Sequence, residues 1–99
     1  MPNLPMMVAT RATVTTVASS TNSATLLAAN GSRIGAVISN SDANPLFIRI
    51  GGGTASASDF SVVIPTNSTY TVPFAYNGAI SGIWGTDGAG HAGITEYTA

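Results

Sequence analysis

The sequence contains no cysteine and no lysine, and only one histidine. Without cysteine there can be no disulfide bond and no thiolate metal site. Charged residues make up 7% of the chain, against about 25% in an ordinary globular domain. The net charge of −1 leaves no basic patch for a nucleic acid. We therefore expect neither a cysteine-based site nor a nucleic-acid partner.

Long apolar runs are also missing. No stretch approaches the ~18–20 residues that cross a membrane, so we expect no membrane partner. The first ten residues carry two prolines and no basic residue, a pattern that does not predict a signal peptide.

The residues that are abundant favour β-structure. Valine, isoleucine and threonine are frequent, whereas glutamine is absent and glutamate occurs once. β-Branched side chains suit a pleated surface, and the scarce residues are the usual fillers of exposed helices. Eleven glycines and five prolines punctuate short apolar runs. The composition predicts an all-β fold, with residues 11–99 as a single domain.

Residues 30–53 carry the clearest pattern. Residues 33–39 and 46–50 alternate between two faces with the period of a β-strand. Between them, residues 41–45 include the Asp, Asn and Pro that favour a turn. Three consecutive glycines, at 51–53, end the second strand. This stretch predicts two strands joined as a hairpin and followed by a bend.

The same period predicts strands elsewhere, at residues 11–18, 24–28, 60–64, 70–74, 80–84 and 92–97. In the run 70–74, Tyr70, Val72 and Phe74 share one face. About eight short strands, spaced by roughly 8–12 residues, predict an antiparallel β-sandwich or a jelly-roll-like barrel.

Residues 1–10 are predicted to form an extended arm, because Pro2 and Pro5 disfavour helix. The arm carries the apolar residues Leu4, Met6 and Met7. Two interpretations stay open: a frayed terminus, or an arm that docks on a neighbouring subunit.

The sequence offers little for catalysis. His91 is the only histidine and lies in a glycine-rich loop, so no nucleophile has an obvious base. The acids Asp42 and Asp87 lie in predicted turns and lack the spacing of a calcium loop. Glycines 51–53 lack the Lys-Ser/Thr ending of a phosphate loop. We expect no enzyme activity, no cofactor and no metal.

Arg33 and Arg49 occupy the face opposite the isoleucines in their strands. They are predicted either to be solvated or to pair with acids of a neighbouring subunit, since guanidinium binds carboxylate through two hydrogen bonds.

Aromatic residues have two interpretations. Tyr70, Phe74, Tyr76 and Trp84 are predicted to fill the core, with a carbohydrate-binding platform as the alternative. Tyr76 and Tyr97 could instead line an interface, where tyrosine is enriched.

Several positions resemble a known group of proteins: Asn30-x-x-Arg33, Ser39-Asn40, Pro45-Leu-Phe-Ile, Pro65-x-Asn-x-x-Tyr70, Tyr76-x-Gly-x-Ile80-x-Gly-Ile-Trp and Thr95-Glu96. Over residues 30–96 the chain is similar to small β-sandwich virion proteins of tailed bacteriophages. These are capsid decoration (cement), head-fibre or minor tail components.

The resemblance implies an assembly role in the virion without choosing its location there. The leading hypothesis is a non-enzymatic structural protein on the capsid surface. Its expected partners are further copies of itself, with a trimer favoured, and the major capsid protein at points where capsomers meet. The alternative is a head-fibre or tail-associated module that binds host-surface glycans through Tyr70, Tyr76 and Trp84.

Overall fold

The computed structural model describes residues 8–86 and 88–99. These residues form eight β-strands and no helix, which confirms the all-β prediction. The strands are β1 Arg11–Ala18, β2 Ala24–Leu27, β3 Arg33–Asn40, β4 Leu46–Ile50, β5 Val62–Ile64, β6 Ser68–Thr71, β7 Ile80–Trp84 and β8 His91–Thr98. Leu4, Met6 and Met7 of the predicted arm, and Asp87, lie outside the described residues.

The strands form two antiparallel four-stranded sheets. Sheet I has the order β1-β8-β3-β6, and sheet II has the order β2-β7-β4-β5. Among these strands, β4 and β5 are the one consecutive pair that lies side by side in a sheet, and every other consecutive pair is divided between the two sheets, as in a double-sheet jelly roll. The predicted antiparallel sandwich is confirmed.

The core lies between the sheets and follows the alternation of the strands. In sheet I, Ala36 and Ile38 of β3 lie beside Ala92 and Ile94 of β8, and all four are buried. The whole buried cluster consists of Leu26, Leu27, Ala36, Ile38, Leu46, Ile48, Ile64, Val72, Ile80, Trp84, Ala92 and Ile94. Each large member contributes about 1.5–3 kcal/mol through burial, so this cluster is the main source of stability.

The predicted hairpin at residues 30–53 is wrong, although both of its strands exist. β3 belongs to sheet I and β4 to sheet II, so the turn between them crosses the end of the sandwich. The crossing is fixed by the buried side chains of Asn40 and Asp42. Alternation within a strand is local and carries no information about which sheet the strand joins.

The triple-glycine bend is confirmed. Gly51, Gly52 and Gly53 have φ values of 107°, 77° and 81°, in the left-handed region that side chains disfavour. The loop then folds over the outer face of sheet II, where Ser81 Oγ donates to the Gly53 carbonyl at 2.7 Å.

The prediction that Phe74 faces the core is also wrong, because its side chain is 69% exposed. Strand β6 ends at Thr71. After it, Pro73 starts a turn that closes through the Tyr76 N–H and the Pro73 carbonyl at 3.1 Å. This turn carries Phe74 away from the sheet.

Candidate functional site

Arg33 is buried at one end of the sandwich and binds groups of its own chain. Its Nε lies 2.7 Å from Glu96 Oε2, and the guanidinium side chain has no exposed surface. The same group donates to the carbonyls of Gly78 at 2.7 Å, of Tyr76 at 3.4 Å and of Ala28. Arg33 is therefore neither solvated nor open to a neighbouring subunit, in contrast to both sequence-based interpretations.

A bulge explains this change of side. Arg33 pairs with Thr98, but Gly35 pairs with Tyr97, so two residues of β3 match one residue of β8. The extra residue turns Arg33 to the inner face, where alternation alone would have placed it outside. Arg33 therefore ties two loops to strand β8.

Arg49 also finds its partners within the chain. Its Nε lies 3.4 Å from Asp59 Oδ2, and its terminal nitrogen donates to the Gly52 carbonyl. The ion pair is partly exposed, with 36% of the arginine side chain and 66% of the aspartate side chain accessible. Such pairs contribute about 0–1 kcal/mol, so Arg49 mainly orders the loop that follows β4.

The opposite end of the sandwich is organised by the buried residues Asn40 and Asp42, and we call it the Asp42 end. Asn40 Nδ2 donates to the carbonyls of Asn44 at 2.8 Å and Ile64 at 2.9 Å. Asn40 Oδ1 accepts from the Asp42 N–H and from Trp84 Nε1, both at 3.1 Å. One amide thus joins the turn, two strands and the central tryptophan.

The Asp42 carboxylate also accepts several hydrogen bonds. It accepts from the backbone N–H and the side-chain amide of Asn44 at 2.9 and 3.0 Å, and from the Gly90 N–H at 2.9 Å. These hydrogen bonds, above all that from the Asn44 backbone, lower the pKa of Asp42, while burial acts in the opposite direction. The carboxylate is a structural acceptor that stabilises the loops at this end.

No metal-binding cluster of three or more His, Cys, Asp or Glu side chains occurs within residues 8–86 and 88–99. His91 is exposed at the start of β8. No helix within the same two stretches could cross a membrane.

The aromatic residues considered for a carbohydrate platform are engaged in packing. Trp84 is 1% exposed, and Tyr70 and Tyr76 pack against the core cluster. The Tyr76 hydroxyl donates to the Ala79 carbonyl at 2.9 Å. Tyr97 is half-buried on β8. The core interpretation holds for Trp84, and the three residues Tyr70, Tyr76 and Trp84 do not form an exposed face.

The outer edge of strand β1 is the first of two surfaces that no other described strand covers. The strand pairs with β8 along its whole length, from Arg11 opposite Thr98 to Ala18 opposite His91. Its other side borders no strand among the described residues. Seven of its eight residues are exposed, and Val14 is 70% exposed.

The hydrogen-bond alternation shows which groups of β1 are free. The Ser19 N–H donates to the Gly90 carbonyl at 3.1 Å, in register with the β1–β8 pairing. In an antiparallel ladder the backbone N–H and C=O groups of residues two apart point the same way, so those of the odd-numbered residues of β1 bond to β8. The backbone groups of the even-numbered residues point outward, and we call them the free edge: Ala12, Val14, Thr16 and Ala18.

The inner face of β1 is uncovered too. Thr13 and Thr15 point toward the same side as the core residue Ile94, yet both are exposed. Below them is a groove of about 290 Å³, lined in part by Thr15, Leu26, Leu27 and Glu96. The inner face of β1 is therefore not packed against sheet II along Thr13 and Thr15.

A second unpartnered surface lies on the outer face of sheet II, which we call the outer patch: Phe47, Phe60, Val63 and Ile83. The three members that lie in strands form one row, since Phe47 pairs with both Val63 and Ile83. Phe60 packs edge-on against Phe47 at 5.1 Å between ring centroids. Phe60 and Val63 are 39% and 37% exposed. Alternation already placed Phe47 and Ile83 outside, a signal that the sequence interpretation did not use.

No protein-family model matches the chain, and no curated protein or solved structure is similar to it at a significant level. The function is therefore inferred from the residues and their geometry.

Proposed function

We propose that this chain is a non-enzymatic structural protein of a tailed-bacteriophage virion. In this role it decorates the capsid as a cement protein, binding as a homo-oligomer to the major capsid protein where capsomers meet. The observation that carries the proposal is the pair of unpartnered surfaces. The free edge lies at the β1 side of sheet I, and the outer patch lies around β4 and β5 of sheet II.

A cement protein has to bind more than one neighbour in order to bridge a seam. The free edge offers unmade backbone hydrogen bonds, and the outer patch offers apolar side chains that gain free energy when they leave water. Two different surfaces on one small domain allow self-association and capsid binding at the same time. Linked binding of this kind multiplies the affinity of each single contact.

The composition agrees with a protein that acts inside an assembly. A free monomer with 7% charged residues and no lysine has weak protection against association. The double-sheet jelly roll also serves as a capsid domain in viruses, which is an analogy of fold and not of site. The resemblance of residues 30–96 to phage virion proteins points the same way.

The alternative, a head-fibre or tail module that binds host glycans, has less support. It depended on Tyr70, Tyr76 and Trp84 as a stacking platform, and Trp84 is in the core.

The direct test adds purified protein to phage heads assembled without it and measures binding and the temperature of head disruption. We expect binding and a higher disruption temperature. Phe60→Ser should weaken binding by removing part of the outer patch. Phe74→Ser is the matched control, because Phe74 is exposed but lies outside the patch. Wild-type protein that does not bind, or binds without raising the disruption temperature, would contradict the proposal.

A further inference from the structure

We propose that the free edge pairs with the β1 strand of a second copy, antiparallel and around a two-fold axis at Thr15. The two copies of sheet I then form one continuous sheet of eight strands, four from each copy. This inference rests on the proposed function, because it names the surface through which the structural protein binds itself.

The free edge is a long stretch of backbone whose hydrogen bonds are unsatisfied within the described chain. The free edge exposes four N–H and C=O pairs, at Ala12, Val14, Thr16 and Ala18, without a proline, lysine or bulge between them. Natural proteins usually block such an edge, because it is a template for another strand. Here the strand is the joint-longest of the fold, at eight residues, and it still lies at an edge.

A second β1 strand is the best-matched partner for the free edge. The other edge strands are short: β2 and β6 have four residues each and β5 has three. Pro65 follows β5, and Pro73 lies shortly after β6, so prolines limit any extension of the β5 and β6 edges. Only another β1 can match the free edge over its full length among the described strands.

One register of the two β1 strands bonds every outward residue of the free edge. Pairing with the axis at Thr15 sets Ala12 opposite Ala18 of the second copy and Val14 opposite Thr16 of the second copy. All four outward residues of each strand are then bonded, which gives roughly eight hydrogen bonds across the interface. On the inner face, Thr15 meets Thr15 of the second copy, a favourable cross-strand pair.

Charge repulsion does not oppose this pairing. Arg11 is the only charged residue of β1, and this register sets it opposite the uncharged Ser19 of the second copy. The two Arg11 residues lie roughly 26 Å apart along the paired strands. That distance exceeds the ~8 Å over which charges act at physiological salt, so no like charges oppose the pairing. This pairing predicts a two-fold dimer, whereas the sequence favoured a trimer.

Cross-linking tests the register directly. The chain has no cysteine, so Thr15→Cys introduces a single thiol. In the proposed dimer the two substituted residues face each other with Cα atoms about 4.5 Å apart, within the range of a disulfide. Thr13→Cys is the matched control. It is also exposed on the inner face, but its two copies would lie about 13 Å apart along the strands, too far for a bond.

We expect mild oxidation to convert the Thr15→Cys variant into a covalent dimer many times faster than the Thr13→Cys variant. Light scattering of unoxidised wild-type protein should give twice the 9.9 kDa mass of one chain. Equal cross-linking of the two variants, a wild-type monomer at every concentration, or a trimer would overturn the inference. A dimer that fails to bind phage heads would instead contradict the proposed function and leave the pairing intact.

Discussion

The Asp42 end and the free edge of β1 differ most in how their polar groups are bonded. At the Asp42 end, each of the side chains of Asn40 and Asp42 binds several groups, and loops from both sheets converge on them. Along β1, alternate backbone groups have no partner within the described chain. The fold is thus stabilised by internal hydrogen bonds at its ends, whereas the outward groups of β1 have no partner among the described residues.

The largest expected effect is at the Asp42 end. Asn40→Ala should remove the partners of the Trp84 Nε1–H, the Asp42 N–H and two carbonyls. Each buried polar group left unpaired costs about 1–3 kcal/mol, so the free energy of unfolding should fall by about 3 kcal/mol or more. Urea denaturation measures this loss. A loss below about 1 kcal/mol would show that water replaces the amide and that the end is less closed than described.

Gly90→Ala should have the next largest effect. A Cβ at this position would lie 2.5 Å from Asp42 Cα and 2.8 Å from the Ser41 carbonyl oxygen, both backbone atoms that cannot rotate away. We expect a loss of about 1–3 kcal/mol in the free energy of unfolding, as for other overpacked sites. Gly93→Ala is the control, because nothing lies within 4 Å of its added Cβ. Similar losses for both variants would argue against close packing of Gly90 on Asp42.

Lowering the pH should destabilise the Asp42 end, because it protonates the Asp42 carboxylate. Its pKa in the folded state is lowered from 3.8, so the unfolded chain binds the proton more tightly. The stabilisation is therefore fully present above pH 3.8 and is lost as the pH falls through the lower folded value. Asp42→Asn should be less stable than wild type at pH 7, and the difference should shrink below pH 3.8. Thermal melts at both pH values measure this, and a difference that does not change with pH would contradict it.

The smallest effect on stability is expected at the free edge. Thr16→Pro removes an outward N–H that no described group accepts, so the monomer should lose at most about 0.5 kcal/mol. The dimer should nevertheless dissociate, because proline blocks the pairing edge. Thr71→Pro is the matched control on β6. The Val72 N–H bonds to the Ala36 carbonyl at 2.9 Å, so the N–H of Thr71 points outward as well.

Light scattering distinguishes the two proline variants. We expect a monomer for Thr16→Pro and an unchanged dimer for Thr71→Pro. If both variants were monomers, or if both were dimers, self-association would not depend specifically on the β1 edge.

The sequence predicted most strands because alternation is encoded within each strand. It could not predict that β3 and β4 lie in different sheets, since that depends on contacts across the core. The burial of Arg33 was missed because one bulge reverses the alternation of its strand. Phe74 was misplaced because the pattern continued past the end of β6.

The candidate surfaces were harder to predict than the strands. Strand β1 was recognised from residues 11–18, but its position at an edge follows only from the pairing of β8 with both β1 and β3. The outer patch needs Phe60 and Phe47 to meet across a loop, which no local pattern indicates. An unpartnered surface is a property of the assembled sheets and not of any single segment.

Amide hydrogen exchange within β1, measured by NMR over a range of protein concentrations, tests the pairing most directly. The N–H groups of Val14 and Thr16 point outward, whereas that of Thr15 bonds to β8. We expect exchange at Val14 and Thr16 to slow as the concentration rises, while exchange at Thr15 is already slow and changes less. Fast exchange at Val14 and Thr16 at every concentration would contradict the claim that β1 is the self-association edge.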